Sequence, residues 1–240
     1  MKLHIYDTEA EVIKGLAHFF MVTVNAAIRK NGECSVVLSG GSSPKKLYQL
    51  LASDEYKNEV DWSKVSFFFG DERYVPFDHP DNNGRMATQT LFEPLHIDES
   101  KIFYIGTSLS PEHDAANYSD AIFTYFGDRS PKFDLILLGL GDNAHTASLF
   151  PYTDVLQEET AIVRPVFLIE QHVYRITMTA PLINEADKIA FLVYGKSKAE
   201  AVHHVLKGEK NIALYPAQLI QPLDGTVNWF MDKAAANNVL

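Results

Sequence analysis

A single cysteine, Cys34, among 240 residues leaves no intramolecular partner and so rules out a disulfide framework. It lies in the apolar run Cys34 to Leu38 and reads as a packed strand thiol rather than a nucleophile. Positive charge is also scarce, with 21 Lys and Arg against 31 Asp and Glu and a formal net charge of -10. No long basic stripe is present to displace counterions from a phosphate backbone, which argues against a nucleic-acid partner. A small anionic ligand remains allowed, because oriented amides and a few local cations dominate at contact distance. No run approaches the ~20 apolar residues of a bilayer span, and the opening Met1 to Asp7 lacks a signal-peptide core, so a soluble cytoplasmic protein without a membrane partner is expected. Internal repeats and low-complexity linkers are missing. So are the Walker loop, the G-x-G-x-x-G fingerprint and the G-x-S-x-G elbow, leaving a nucleotide site or a serine triad without support.

What is present is apolar and aromatic. With 46% hydrophobic residues, 15 Phe and 11 Tyr, the chain can bury a large core. Thr8 and Glu11 have capping-box spacing, and Val12, Leu16, Phe19, Phe20, Val24 and Ile28 then recur at helical intervals, so an amphipathic helix is expected to run to about Asn31-Gly32. Strand-like runs follow at Ser35 to Leu38, Val65 to Phe69, Asp134 to Leu138, Val173 to Thr179 and Ile189 to Tyr194, with helical patterns between most of them. That alternation predicts an α/β fold: one three-layer domain over residues 1–240, a mostly parallel sheet with helices on both faces. Val227 to Phe230 reads as a final short strand or loop, and the tail from Ala234 to Leu240 as frayed.

Five segments offer chemistry. In Val36 to Tyr48 a strand meets Gly40-Gly41 and hydroxyls, with Ser43 expected as N-cap and Pro44 as first helical residue. Glycines there would let amides crowd an anion at a helix N-terminus, although an ordinary strand-to-helix turn reads the same way. Gly70-Asp-Glu-Arg-Tyr-Val-Pro places three charges at a strand end, with Asp71 and Arg73 on one side and Glu72 on the other. A solvated turn holding an Asp-Arg pair is equally compatible. His79 with Asp78 and Asp81 has no second cluster at ligand spacing, so no metal is expected. The third segment runs from the apolar strand Asp134 to Leu138 through Gly139-Leu-Gly into His145, whose imidazole can exchange a proton near neutral pH where α/β ligands bind. Thr146 and Ser148 read as caps of a following helix. Arg175, inside a run suited to a buried strand, needs a carboxylate or an anionic ligand. Finally Val193 to Ala199 closes a strand with glycine and offers Lys196 and Lys198, either of which could meet a phosphate or decorate a surface helix.

Taken together, Leu38-Ser-Gly-Gly-Ser-Ser-Pro, Gly70-Asp-Glu-Arg-Tyr-Val-Pro, Asp78-His-Pro-Asp-Asn-Asn, Gly139-Leu-Gly-Asp-Asn-Ala-His-Thr-Ala-Ser-Leu-Phe-Pro, Arg175-Ile-Thr and Gly195-Lys-Ser-Lys-Ala resemble the 6-phosphogluconolactonase family, in family order. The resemblance implies a fold of the glucosamine-6-phosphate deaminase and ribose-5-phosphate isomerase type. It also implies hydrolysis of 6-phospho-D-glucono-1,5-lactone in the pentose phosphate pathway, with no cofactor and a monomer or small homo-oligomer. By it, His145 is the general base. The catalytic set is His145, Arg73 and Asp71, and the substrate-binding set is Ser39, Gly40, Gly41, Ser42, Ser43, Asn143, Arg175 and Lys198. Family members commonly read Asp-Gly-His where this chain has Asn143-Ala144-His145. Asn143 can hydrogen-bond without full charge, Ala144 enters positive φ less readily than glycine, and Asp142 is the nearest substitute carboxylate. Two other readings stay open. One is a phosphosugar sensor without turnover. The other is an amino-sugar phosphate deaminase, against which Phe150 stands where that group's motif has a glutamate.

Overall fold

A computed structural model describes residues 1–169 and 171–240. The chain opens with β1 (Lys2–Tyr6), α1 (Glu9–Asn31), β2 (Cys34–Leu38), α2 (Ser42–Leu51), β3 (Val65–Phe69) and β4 (Asp71–Arg73). Three short elements follow without a break, α3 (Asn83–Ala87), a π-helical turn over Thr88–Phe92, and α4 (Glu93–Leu95). Then come α5 (Pro111–Phe126), β5 (Leu135–Leu138), β6 (Val163–Leu168), β7 (Val173–Met178), α6 (Ala180–Asn184), β8 (Lys188–Val193), α7 (Ala199–Leu206) and β9 (Thr226–Asp232). Six strands form one parallel sheet in the order β1-β9-β8-β5-β2-β3, flanked by helices. Every residue of β2, β3 and β5 is buried, as strands covered on both faces require.

The first helix follows its sequence closely. Thr8 and Glu11 close the capping box, acidic residues sit in the first turn and basic ones in the last, and Gly32 ends it at φ 83. Although α1 is long and apolar enough to cross a membrane, Val12, Leu16, Phe20 and Val24 on it are fully buried, and it packs on β1, β2, β8 and β9. That stripe belongs to the core.

Four expectations are corrected. Helix α2 starts at Ser42 with Gly41 as N-cap, not at Pro44. Gly41 takes φ 108, a turn that admits the chain into the helix earlier, and Pro44 sits in the first turn where its missing N–H costs nothing. Strand β7 leaves the parallel sheet for a separate antiparallel one, β4-β7-β6, in which Pro165 is tolerated because β6 lies at the edge. Strand β9 pairs with both β1 and β8, and the tail folds back, with Ala235 and Ala236 buried and the Ala235 amide donating to Asp232 Oδ1 at 2.7 Å. No helix starts at Thr146 or Ser148, and the next helical turn, Asp154–Gln157, begins after Thr153. Thr146 Oγ1 donates to the Gly139 carbonyl at 2.9 Å, and Ser148 Oγ donates to Asp71 at 2.6 Å.

Candidate active site

The carboxyl ends of β2, β3, β5 and β8, together with the crossing strand β7, enclose a cavity of about 270 Å³. That position follows from a parallel sheet, where ligands gather beyond the strand ends. A larger groove of about 870 Å³ lies alongside, lined by Phe150, Tyr152, Phe167 and others, but among the described residues its lining holds neither a histidine nor a lysine or arginine. The smaller cavity, which collects His145 with Arg73, Arg175 and Lys198, is therefore the candidate site.

Beyond β2, the buried Tyr48 hydroxyl accepts the Ser39 N–H at 3.0 Å and donates to the Ser39 carbonyl at 2.8 Å, fixing the start of the glycine loop. Tyr118 does the same for Phe69 at the end of β3. Among the described residues, the amides of Gly40, Gly41, Ser42 and Ser43 meet no protein acceptor, and they stand at the N-terminus of α2. Free N–H groups and a helix dipole together favour an anion there.

Beyond β3, alternation in β4 separates the three charges as the sequence predicts. Asp71 and Arg73 line the cavity. Glu72 turns away, and its carboxylate accepts from the amides of Arg73, Asn83 and Gly84 at 2.8, 2.8 and 2.9 Å. Burial pushes its pKa up to about 7, against those three donors, which favour the charged form. The residue is the clasp between β4 and α3. Glu72→Ala would strand these amides at a cost of roughly 3 kcal/mol, which lowers Tm by roughly 6–12 °C in a chain of this size. Scanning calorimetry with a shift under about 2 °C would remove the clasp from the account.

Arg73 and Arg175 stand directly opposite each other in the β4–β7 register. Like charges so placed repel, yet only partial relief is on hand. Arg73 donates to the Asp81 carbonyl at 2.6 Å, while Arg175 lies 3.9 Å from Asp71 Oδ2 and 3.3 Å from Gln171 Oε1. Both Nε atoms are buried with no hydrogen-bond partner among the described residues. Burial lowers the Arg175 pKa, and Asp71 opposes that shift. Two underpaired guanidiniums on one wall make an anion-seeking surface. Across the cavity, the lining includes Lys198 and not Lys196, and Lys198 pairs with the exposed Asp142 at 2.7 Å.

His145 reaches the cavity from the turn after β5. Its ring stacks on Phe150 with centroids 3.9 Å apart and planes at 16°, and the Arg175 guanidinium lies 5.3 Å from the same phenyl ring. Burial drives the imidazole pKa down to about 4, with Asp71 raising it and Arg175 and Lys198 lowering it further, so it is neutral at pH 7. Asn143 Oδ1 lies 2.5 Å from His145 Nδ1 and 3.3 Å from the His145 backbone N–H. The backbone donor identifies that atom as oxygen, so Nδ1 carries the proton and Nε2 keeps a free lone pair. Asn143 lines the neighbouring groove and not the cavity, which makes its contact with the ring its evident one. Ala144 holds φ 59, so the turn keeps a left-handed residue in spite of the Cβ. The strain of roughly 1–2 kcal/mol is borne where the Ala144 carbonyl accepts the Ala217 amide at 3.0 Å.

Four residues escape the sequence reading of the site. Ser148 holds Asp71, Phe150 walls the imidazole, Asn83 lines the cavity, and Gly141 leaves room for the His145 ring. All four sit inside the quoted motifs, so the signal was present without these contacts attached to it. The contacts themselves are tertiary: Ser148 meets Asp71 on β4, and Gly141 faces the His145 ring across the turn. Among the described residues no group of three or more His, Cys, Asp and Glu is placed to hold a metal ion.

The family model described as glucosamine-6-phosphate isomerases/6-phosphogluconolactonase matches residues 7–229. A 6-phosphogluconolactonase of Synechocystis sp. is 40% identical over 220 residues, covering 90% of this chain and 89% of that one. The solved 6-phosphogluconolactonase from Trypanosoma cruzi superposes with a TM-score of 0.89 at 27% identity, covering 99% and 96%. A solved monomeric glucosamine-6-phosphate deaminase superposes with a TM-score of 0.84 at 22% identity, covering 99% of this chain and all of that one, a likeness of fold. With a match that runs from the first helix into the last strand, the chain belongs to the glucosamine-6-phosphate isomerase/6-phosphogluconolactonase family.

Proposed function

We propose that the protein hydrolyses 6-phospho-D-glucono-1,5-lactone to 6-phosphogluconate, the lactone-opening step of the pentose phosphate pathway, with His145 as general base. The observation that carries this reading is a neutral imidazole with Nε2 free, at a cavity walled by Arg73, Arg175 and Lys198. The unpaired amides of Gly40 to Ser43, with Arg175 and Lys198, hold the phosphate and so fix the lactone carbonyl near the base. Nε2 removes a proton from water as the water oxygen bonds to the carbonyl carbon. Arg73 stabilises the resulting oxyanion. Collapse breaks the bond from that carbon to the ring oxygen, and the imidazolium returns its proton to the departing alkoxide. Asp71, held by Ser148 and close to Arg175, keeps that guanidinium aimed inward and lends negative charge to the imidazolium stage.

The deaminase reading loses its ring-opening acid, because Phe150 stacks on His145 where that carboxylate would stand. The test is proton release from freshly generated 6-phosphogluconolactone. Turnover above the spontaneous rate supports the reading, whereas binding of 6-phosphogluconate without turnover would make the protein a sensor.

The protonation state has its own measurement. By NMR, the His145 ring is expected to stay neutral down to about pH 5, with a midpoint near 4. Asn143→Asp replaces a neutral acceptor with a carboxylate on Nδ1 and is expected to raise that midpoint by about 1 unit or more. A wild-type midpoint near the ordinary 6.5 would remove the burial argument.

A further inference from the structure

Asn83 is 1% exposed, yet it lines the cavity. Its backbone N–H is held by Glu72 Oε1 at 2.8 Å, and its side-chain Nδ2 donates to the Asp71 carbonyl at 2.9 Å. A carbonyl oxygen only accepts, so the amide has one orientation, with Nδ2 toward Asp71 and Oδ1 away from it. Oδ1 points at Gly40. A Cβ on residue 40 would come within 1.8 Å of that oxygen, and the glycine is what gives the amide its place. No protein donor reaches Oδ1 among the described residues.

Asn83 Oδ1 is not among the fully buried unpartnered side-chain atoms, so it is open to the cavity, where water meets it until a ligand donor takes that place. Neither a phosphate dianion nor a carboxylate can donate. A hydroxyl can, and the lactone carries three on its ring. Resting on the lactonase reading, we propose that Asn83 is a specificity-determining residue whose Oδ1 accepts a hydrogen bond from one ring hydroxyl of the substrate. Phosphate and carbonyl are then met by amides and cations, and the stereochemistry of the ring is read by this fixed, neutral acceptor. The strand-end carbonyl and the Glu72 clasp hold it still, so the contact needs no rearrangement on binding.

The experiment measures kcat/KM for 6-phosphogluconolactone and its 2-, 3- and 4-deoxy analogues, with wild type and Asn83→Ala. Wild type is expected to disfavour one of the three analogues by about 10-fold or more. In Asn83→Ala that same preference collapses toward unity, while preferences at the other two positions persist. A purely structural residue would lower kcat/KM equally for all four substrates, and that outcome overturns the proposal. If the variant does not fold, wild type alone decides, since equal rates for all three analogues overturn the assignment and a strong preference at one position sustains it. Wild type that turns over none of the four refutes the lactonase reading itself, a result distinct from turnover without discrimination.

Discussion

His145→Ala is expected to lower kcat by about 10²–10⁴, the range spanned by positioned general bases, or about 3–5 kcal/mol of barrier. KM should move far less, because the groups proposed to hold the phosphate lie on other elements. The lactone opens unaided in water, so a residual rate above background is expected from the amides and guanidiniums alone. Stability should fall modestly at neutral pH, where truncation removes the stacking contact with Phe150, worth about 0.5–1.5 kcal/mol, and the hydrogen bond to Asn143, worth about 0.5–1.5 kcal/mol. Its pH dependence should change more. The folded imidazole binds a proton only near 4 while the unfolded one binds near 6.5, so between these values the unfolded state takes up more protons and stability falls as the pH falls. The variant lacks this group and is expected to lose less stability than wild type on acidification from 6.5 to 4. A kcat within about threefold of wild type would move the base elsewhere.

Elements whose signals are local were legible in the sequence. The capping box at Thr8 and Glu11 and the stripe behind it define α1. Mostly apolar runs leading into glycine define β2, β3 and β5, the pattern of strands covered on both faces. Elements whose conformation depends on partners were not. In β1 the pattern Lys2-Leu-His-Ile-Tyr6 is half exposed and becomes a strand by pairing with β9. Strand β4 has three charged residues and no intrinsic preference for a sheet until β7 offers its backbone. That pairing is what sets Arg175 opposite Arg73, so the anion wall of the site follows from a sheet the periodicity did not disclose.

The site divides along the same line. Strand-end glycines, the histidine and the cations were legible because chemistry-bearing residues interrupt apolar runs at a parallel-sheet edge. The choice of Lys198 over Lys196 came from family resemblance, and in the structure Lys198 lines the cavity where Lys196 does not. Asn143 was grouped with substrate-binding residues, and in the structure its Oδ1 contacts His145 Nδ1. An amide there stabilises an imidazolium less than a carboxylate would, and still holds the ring by Nδ1. Ala144 was open to a different turn, and its φ of 59 places it in the conformation a glycine would take. Local strain accepted at a functional turn is paid back by surrounding contacts, here the Ala217 amide on the Ala144 carbonyl.

Gly141→Ala should produce nearly the fold stability of wild type with a large loss of rate. Its φ lies outside the left-handed region, so alanine suits the backbone. The new Cβ would nevertheless stand 2.1 Å from both Cε1 and Nδ1 of His145. The backbone of this turn is tied down, with the Gly141 amide donating to the His145 carbonyl at 2.8 Å and the Ala144 amide donating to the Gly141 carbonyl at 2.9 Å. The imidazole is the part free to move, and it must leave Asn143 Oδ1 and the face of Phe150 to do so. Displacing a catalytic group by about 1 Å costs on the order of 10² in rate, so kcat should fall by about that factor. The decisive comparison is the double variant. If Gly141 acts only by seating the ring, adding Gly141→Ala to His145→Ala changes kcat by less than about twofold, because the group it displaces is already gone. A further drop approaching 10² in the double variant would mean that Gly141 serves the reaction independently of His145.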